Sequence, residues 1–211
     1  MIYTDQSQGS TLMPKILGTY ELELHSILRN ECSKRSLRVV DVGAGEGYYA
    51  IGILRNDPQA QVVAYEAVDH GRRIMSLLAA KNGVADRLEI RGECSIADLQ
   101  QSLENWSQPM LIMDVEGAEK HLLDPTRAPA LKKCTIIVEI HDDLEDLITT
   151  RFQSTHTITV IPSRDVSAED IRSPFWNFVA RLSTKLTQRL LQERPFKMNW
   201  FVMKPISGRN E

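Results

Sequence analysis

The chain has only three cysteines, Cys32, Cys94 and Cys134, and their spacing matches no metal-binding pattern. An odd, scattered set argues against a disulfide framework and for a reducing, cytoplasmic setting. Aromatic residues make up 6% of the sequence, and the formal charge of −3 is small for 211 residues. No overall basic surface is therefore expected to draw the chain to nucleic acid or to an anionic membrane. No apolar run approaches the roughly 20 residues of a membrane-spanning helix. Residues 1–15 are too polar for a secretory signal, and no repeat or low-complexity tract is visible. What remains, with 42% hydrophobic and 25% charged residues, is the composition of an ordinary globular protein with one core.

Against that plain background one stretch stands out: Val39-Val40-Asp41-Val42-Gly43-Ala44-Gly45-Glu46-Gly47. An apolar strand runs into an acid and three alternating glycines, then into a helical pattern. Glycines there tolerate a tight turn and let backbone approach a ligand closely. The dinucleotide fingerprint Gly-x-Gly-x-x-Gly fails from Gly43, where its third glycine would be Tyr48. From Gly45 it is met only in part, through Gly47 and Ala50. Asp41 adds a negative charge at the turn, which suits a ligand with a cationic end better than a pyrophosphate. The stretch from Asp41 to Gly47 resembles motif I of class I S-adenosylmethionine (AdoMet)-dependent methyltransferases.

The rest of the chain alternates strands and helices. Residues 1–13 read as a flexible arm, and Leu17, Tyr20, Leu24, Ile27 and Leu28 share a helical face, with Gly18-Thr19 interrupting its start. Strands are expected over Leu37–Asp41, Gln61–Glu66, Arg87–Arg91, Met110–Asp114, Cys134–Ile140, near His156–Ile161 and over Asn199–Met203. Helices lie between them: Gly47 to Arg55, one capped by Asp69 and stopped at Asn82-Gly83, one capped by Ser95, and one near Asp142–Phe152. A longer helix is capped by Ser173, with Phe175, Phe178, Val179, Leu182, Leu186 and Leu190 as its apolar stripe. Repeated β–α units imply a Rossmann-like, doubly wound α/β fold: a mostly parallel seven-stranded sheet with helices on both faces and an antiparallel last strand. Residues 1–36 are expected to form an N-terminal arm and helix, with Gly9–Tyr20 as a lid hinged at Gly18. Residues 37–211 would form the cofactor domain, with a helical insertion at about 165–195.

Four of these strands end in acids: Asp41, Glu66, Asp114 and Glu139. Ligands of open α/β sheets bind outside the carboxyl ends of the strands. A cluster of like charges there calls for cations or hydroxyl donors, and AdoMet carries a sulfonium, an ammonium and a ribose diol. Glu66 can accept both ribose hydroxyls. It can equally cap the next helix, and NAD-binding folds use the same device. Glu93 or Cys94, after the third strand, is a candidate for the adenine end. Ile112-Met113-Asp114-Val115-Glu116-Gly117-Ala118-Glu119 and Ile137-Val138-Glu139-Ile140-His141-Asp142 complete the set. Together with Asp41–Gly47 they resemble the FkbM-type methyltransferases, over roughly residues 37–142. That resemblance implies AdoMet as methyl donor, with Asp41, Gly43, Ala44, Gly45, Glu66, Ala67 and Asp114 around it, and O-methylation as the reaction.

His141 is the candidate general base. It lies past the fifth strand, on the same side as Glu139 by period-2 alternation; a surface or packing role is the alternative. Asp114 and Glu139 complete the catalytic set, and with Glu116, His141 and Asp142 they could hold Mg²⁺. Arg181, Lys185 and Arg189 form a basic stripe, either a solvated face or a contact for an anionic acceptor. Trp176 and Trp200 read as core. The expectation is a methyltransferase acting on a small-molecule or glycan-like acceptor, with no nucleic-acid or membrane partner and a homodimer left open. The rivals are an NAD(P)-dependent oxidoreductase, which predicts an all-parallel sheet, and a catalytically silent scaffold.

Overall fold

The computed structural model describes residues 1–171, 173–182, 187, 190–191 and 198–206. The short helices α1 (Leu12–Leu17) and α2 (His25–Ser33) come first. Then β1 (Arg38–Val42), α3 (Tyr48–Asn56), β2 (Gln61–Tyr65), α4 (Asp69–Lys81) and β3 (Leu88–Arg91) run as successive β–α units. The second half follows with α5 (Ile96–Glu104), β4 (Met110–Met113), α6 (Glu119–Leu122), β5 (Thr135–Ile140), α7 (Glu145–Phe152), β6 (His156–Pro162), α8 (Pro174–Leu182) and β7 (Asn199–Pro205).

The strands form one seven-stranded sheet in the order β3-β2-β1-β4-β5-β7-β6. The first five are parallel, and β7 is antiparallel to both of its neighbours. This is the Rossmann-like sheet expected, including the antiparallel last strand that an all-parallel dinucleotide fold lacks. The chain steps outward from β1 to β3, returns to β4, and steps outward the other way. The gap between the carboxyl ends of β1 and β4 is therefore the topological switch point, where two loops diverge and leave a crevice.

Alternation along the strands divides the core in two. Val40, Val42, Leu111, Met113, Ile136 and Val138 face α5 and α7, meeting Leu99, Leu103, Ile148 and Phe152. Val39, Val62, Ile112, Ile137 and Trp200 face the other way, onto Ala50, Ile51, Leu54, Met75 and Leu78. Met110–Met113 is buried throughout, which is why its sequence is apolar without alternation. Asp41 and Glu139 belong to the second set by register, so both carboxylates emerge on one side of the sheet at its carboxyl end.

Several expectations change in detail. Residues 3–15 are not a free arm: Tyr3, Ser7, Gln8 and Lys15 all bond to the buried Glu46. Gly18, in the left-handed region, ends α1, and a 3₁₀ turn at Leu22–Leu24 precedes α2, so the Leu17–Leu28 face is divided among three pieces. Val68 is the N-cap of α4, and Asp69 sits inside its first turn, where it pairs with Arg72 and Arg73. Ser95 does cap α5, in a reciprocal box with Asp98. On α8, Phe175 and Phe178 are 66% and 63% exposed and Trp176 is 39% exposed, so they are not core, whereas Trp200 is fully buried. Lys185, Leu186 and Arg189, and the side chains of Arg181 and Leu182, lie outside the described residues. No helix among the described residues is long and apolar enough to cross a membrane.

Candidate active site

At the switch point the crevice widens into an open cleft of about 350 Å³. The loop after β1 contributes Asp41, Gly43, Ala44 and Gly45, and the end of β2 contributes Glu66 and Ala67. Glu93 and Cys94 come from beyond β3, and Asp114 from the end of β4. Nine residues singled out in the sequence thus line one cleft. Glu139 and His141 are not among the described lining residues; His141 Nε2 lies 3.7 Å from Asp114, which does line it.

Gly43 is where the fold most needs a glycine. Its φ is +81°, and a Cβ built there would lie 1.7 Å from the Asp114 carbonyl oxygen. The absence of a side chain lets the β1 and β4 loops close to backbone contact and brings Asp41 and Asp114 to the same spot. Two residues on, the loop is fixed by charge: the Gly45 amide donates to Glu66 Oε2 at 2.8 Å, and the Val68 amide donates to Oε1 at 2.7 Å. Glu66 therefore braces the glycine loop and the entry to α4 while its carboxylate lines the cleft.

Asp41 is 2% exposed, and its Oδ2 has no hydrogen-bond partner among the described residues. Burial raises its pKa from the usual 3.8 to about 7; the Ala50 amide opposes this, Asp114 and Glu66 add to it, and Lys15 opposes it weakly. A buried carboxyl with an idle oxygen at the wall of a cleft is short of a donor, and a cationic ligand supplies one.

The second cluster lies at the ends of β4 and β5. His141 Nδ1 is 2.7 Å from Glu119 Oε1. A carboxylate only accepts, so Nδ1 carries the hydrogen and Nε2 is turned toward the other acids. Nε2 lies 3.4 Å from Glu116 Oε2 and 3.7 Å from both Asp114 Oδ1 and Glu139 Oε2. Burial by itself would lower the His141 pKa, but the Glu119 hydrogen bond and the charges of Glu119, Asp114 and Glu116 outweigh it and raise the value. Glu116, Asp142 and Asp143 all sit at positive φ, between 51° and 54°. For non-glycine residues such backbone costs about 1–3 kcal/mol each and persists where the surroundings dictate it. Both loops around the cluster are held in that way.

Two residues escaped the sequence reading. Glu119, fully buried, orients His141, yet in the sequence it is one acid among several in a helical start. Glu46 is also fully buried, and it anchors Tyr3, Ser7, Gln8 and Lys15. Burial and Lys15 act oppositely on Glu46, and the cation prevails, holding its pKa below the usual range. Gln8, Gly9, Ser10 and Lys15 consequently form one rim of the cleft. A glutamate between two glycines, Gly45-Glu46-Gly47, was the available signal, since solvent exposure is the usual expectation for such a turn. Arg29 and Arg55 line a separate groove beside α2 and α3, away from these acids.

No family model matches the chain, and no curated protein matches it in sequence. Solved structures do match. A precorrin-6y C5,15-methyltransferase from Geobacter metallireducens superposes with a TM-score of 0.56 at 12% identity, over 85% of this chain and 88% of its own. An uncharacterized protein from Listeria monocytogenes gives 0.56 at 15% identity, over 88% of this chain and 69% of its own. A candidate O-methyltransferase from Klebsiella pneumoniae gives 0.53 at 14% identity, over 86% and 79%. At these identities the likeness shows the fold alone, a Rossmann-like seven-stranded sheet.

Proposed function

We propose that the cleft binds AdoMet and that the chain transfers its methyl group to an oxygen of a small-molecule or glycan-like acceptor, as an FkbM-type enzyme of a reducing, cytoplasmic compartment. The observation that carries this reading is that Asp41, Glu66 and Asp114 line one cleft together with the glycine loop. Three carboxylates converging there suit a ligand that brings cations and a diol, and the idle Asp41 Oδ2 suits the ammonium or sulfonium end. Glu66 suits the ribose, with Ala67 beside it, and Glu93 and Cys94 stand at the adenine end. Ala44 and Gly45 supply backbone with no bulky side chain in the way.

Bound AdoMet supplies an electrophilic methyl on a positively charged sulfur. The protein's part is to line up the acceptor oxygen and to receive its proton, and positioning supplies much of the rate. Asp114 stands between the cleft and the buried group of Glu139, His141 and Glu119, and we assign proton removal to this group. Its loss should lower turnover by about 10²–10⁴.

Calorimetry with AdoMet, S-adenosylhomocysteine and NADH tests the reading. Micromolar binding of the first two and none of the third is expected. Binding of NADH alone would replace the methyltransferase reading with the oxidoreductase one. Binding of AdoMet with no turnover on any hydroxyl acceptor would favour the silent scaffold.

A further inference from the structure

At the ends of β4 and β5, carboxylates gather around His141 Nε2 at more than hydrogen-bond distance. His141 is 8% exposed, and its Nδ1 is committed to the fully buried Glu119. Its Nε2 points at three carboxylate oxygens yet stands 3.4 to 3.7 Å from them. A hydrogen bond from an imidazole nitrogen to a carboxylate closes to about 2.7–2.9 Å. Ligand atoms sharing an ion at about 2.1 Å lie about 3.0 Å apart across a right-angled edge and about 3.4 Å apart across a tetrahedral one. One ligand atom from each of Asp114, Glu139 and His141 falls within 4.8 Å of the other two.

We propose that Asp114, Glu139 and His141 form a binding site for a divalent transition-metal cation, Mn²⁺ or Zn²⁺ in chemistry, with Glu119 positioning the histidine. The imidazole is what separates this set from a merely acidic cluster. Carboxylates alone suit Mg²⁺, Ca²⁺ and Mn²⁺, whereas an imidazole nitrogen adds affinity for first-row transition ions such as Zn²⁺, so the mixed set fits Mn²⁺ through its oxygens and Zn²⁺ through its nitrogen. Glu119 supplies the outer contact that metal-binding histidines ordinarily have, fixing the tautomer so that Nε2 offers its lone pair. Glu139 and His141 are buried, the Glu119 contact orients the histidine, and the backbone at Glu116 and Asp142 beside the donors is in the left-handed region.

Three protein ligands leave coordination positions open, and Asp114 is the ligand that borders the cleft. Resting on the methyltransferase reading, these positions would take an acceptor that presents two adjacent oxygens, such as a vicinal diol or a hydroxy acid. The cation would then lower the acidity threshold of the bound hydroxyl. His141 serves in that case as a ligand and not as a free base.

The test is Mn²⁺ binding to the full chain after chelator treatment, followed by electron paramagnetic resonance and calorimetry, with neither AdoMet nor acceptor present. One Mn²⁺ per chain is expected. Glu139→Gln and His141→Gln should weaken it at least 10-fold, and Glu119→Gln should weaken it about 10- to 100-fold while leaving the far-ultraviolet dichroism unchanged. The exposed Asp86→Asn should leave it unaltered. In the unmodified protein, Mn²⁺ should broaden the His141 ring resonances selectively, a readout that needs no variant to fold. Absence of saturable binding, or binding indifferent to Glu119 and His141, overturns the site. Mn²⁺ binding without AdoMet binding keeps the metal site and removes the methyltransferase reading; AdoMet binding without metal does the opposite.

Discussion

The amide of Gly45 donates to Glu66 at 2.8 Å across the space between two strands, so the acid at the end of β2 holds the loop at the end of β1. The same carboxylate takes the Val68 amide on its other oxygen. A nucleoside entering the cleft therefore meets a carboxylate already fixed in position, with lone pairs left for ribose hydroxyls. Glu66→Ala should lower affinity for AdoMet and for S-adenosylhomocysteine in parallel, on the order of 10²-fold, since hydrogen bonds to a charged group are worth about 1.5–3 kcal/mol each. Glu66→Gln, which keeps one acceptor, should fall between. Titrations of both ligands against the two variants check this, and affinities equal to the parent would remove Glu66 from the ribose site.

Asp41 makes stability depend on pH and, on the proposed reading, AdoMet binding as well. Its folded pKa of about 7 stands above the usual 3.8, because burial and the neighbouring Asp114 and Glu66 oppose its charge. A carboxyl raised in this direction holds its proton more tightly when folded. Its contribution to stability is complete below about pH 4 and is lost as pH rises through about 7. Asp41→Asn removes the charge and keeps an acceptor for the Ala50 amide. The variant should melt at a higher temperature than the parent at pH 8, by an amount equivalent to a few kcal/mol, and the two curves should converge toward pH 5. Melting curves from pH 4.5 to 8.5 read the difference, and parallel profiles would refute it. A cationic ligand ionises Asp41 on arrival, so AdoMet binding at pH 6 should release protons, seen as heats that vary with buffer ionisation, and Asp41→Asn should abolish that release.

The sheet and the convergence of acids on one cleft were legible because both are written in short-range pattern. Apolar runs mark β1, β2 and β4, and an acid lies at or just past the end of each, so the topology alone brings Asp41, Glu66 and Asp114 together. The same reading placed Glu139 and His141 on one side of β5. What stayed hidden depends on long-range packing. Nothing in Gly45-Glu46-Gly47 tells that Glu46 is buried under residues 3–15 from the far end of the chain. Glu119 looks like a helix-start acid until β5 brings His141 to it. Phe175 and Phe178 have the right spacing for a buried stripe, but periodicity cannot say whether a helix face finds a partner, and theirs is exposed. Ser95 was read correctly because its box with Asp98 closes within one turn.

Gly43 is the position where a single methyl group should do the most damage. A Cβ there would lie 1.7 Å from the Asp114 carbonyl, and the φ of +81° is unfavourable to any L side chain. The atom met is backbone, so no rotamer change relieves the clash, and the β1 and β4 loops must separate. Gly43→Ala should therefore destabilise the protein by about 3 kcal/mol or more and abolish measurable AdoMet binding. Gly52→Ala, in the middle of α3 with open space around it, should instead be neutral or stabilising by up to about 1 kcal/mol. Denaturant titrations of the two variants separate a steric effect at Gly43 from a general dependence on glycine.

Glu46 ties the N-terminal segment to the glycine loop after β1, and Lys15 is its cation. Both are nearly inaccessible, with side-chain exposures of 0% and 4%. Removing one partner of such a pair leaves a buried charge without compensation, which costs about 3–5 kcal/mol, whereas replacing both with apolar groups of similar size is often neutral. Glu46→Ala should accordingly lower the melting temperature, speed proteolytic cleavage within residues 1–15, and weaken AdoMet binding, because Gln8, Gly9 and Ser10 leave the rim of the cleft with it. Lys15→Met combined with Glu46→Leu should recover most of the stability. It should not recover protection of the segment, since Tyr3, Ser7 and Gln8 have then lost their common acceptor. Melting temperature and cleavage rate thus part company in the double variant if Glu46 acts as a latch. Should both recover together, apolar packing alone would be what holds residues 1–15 over the cleft.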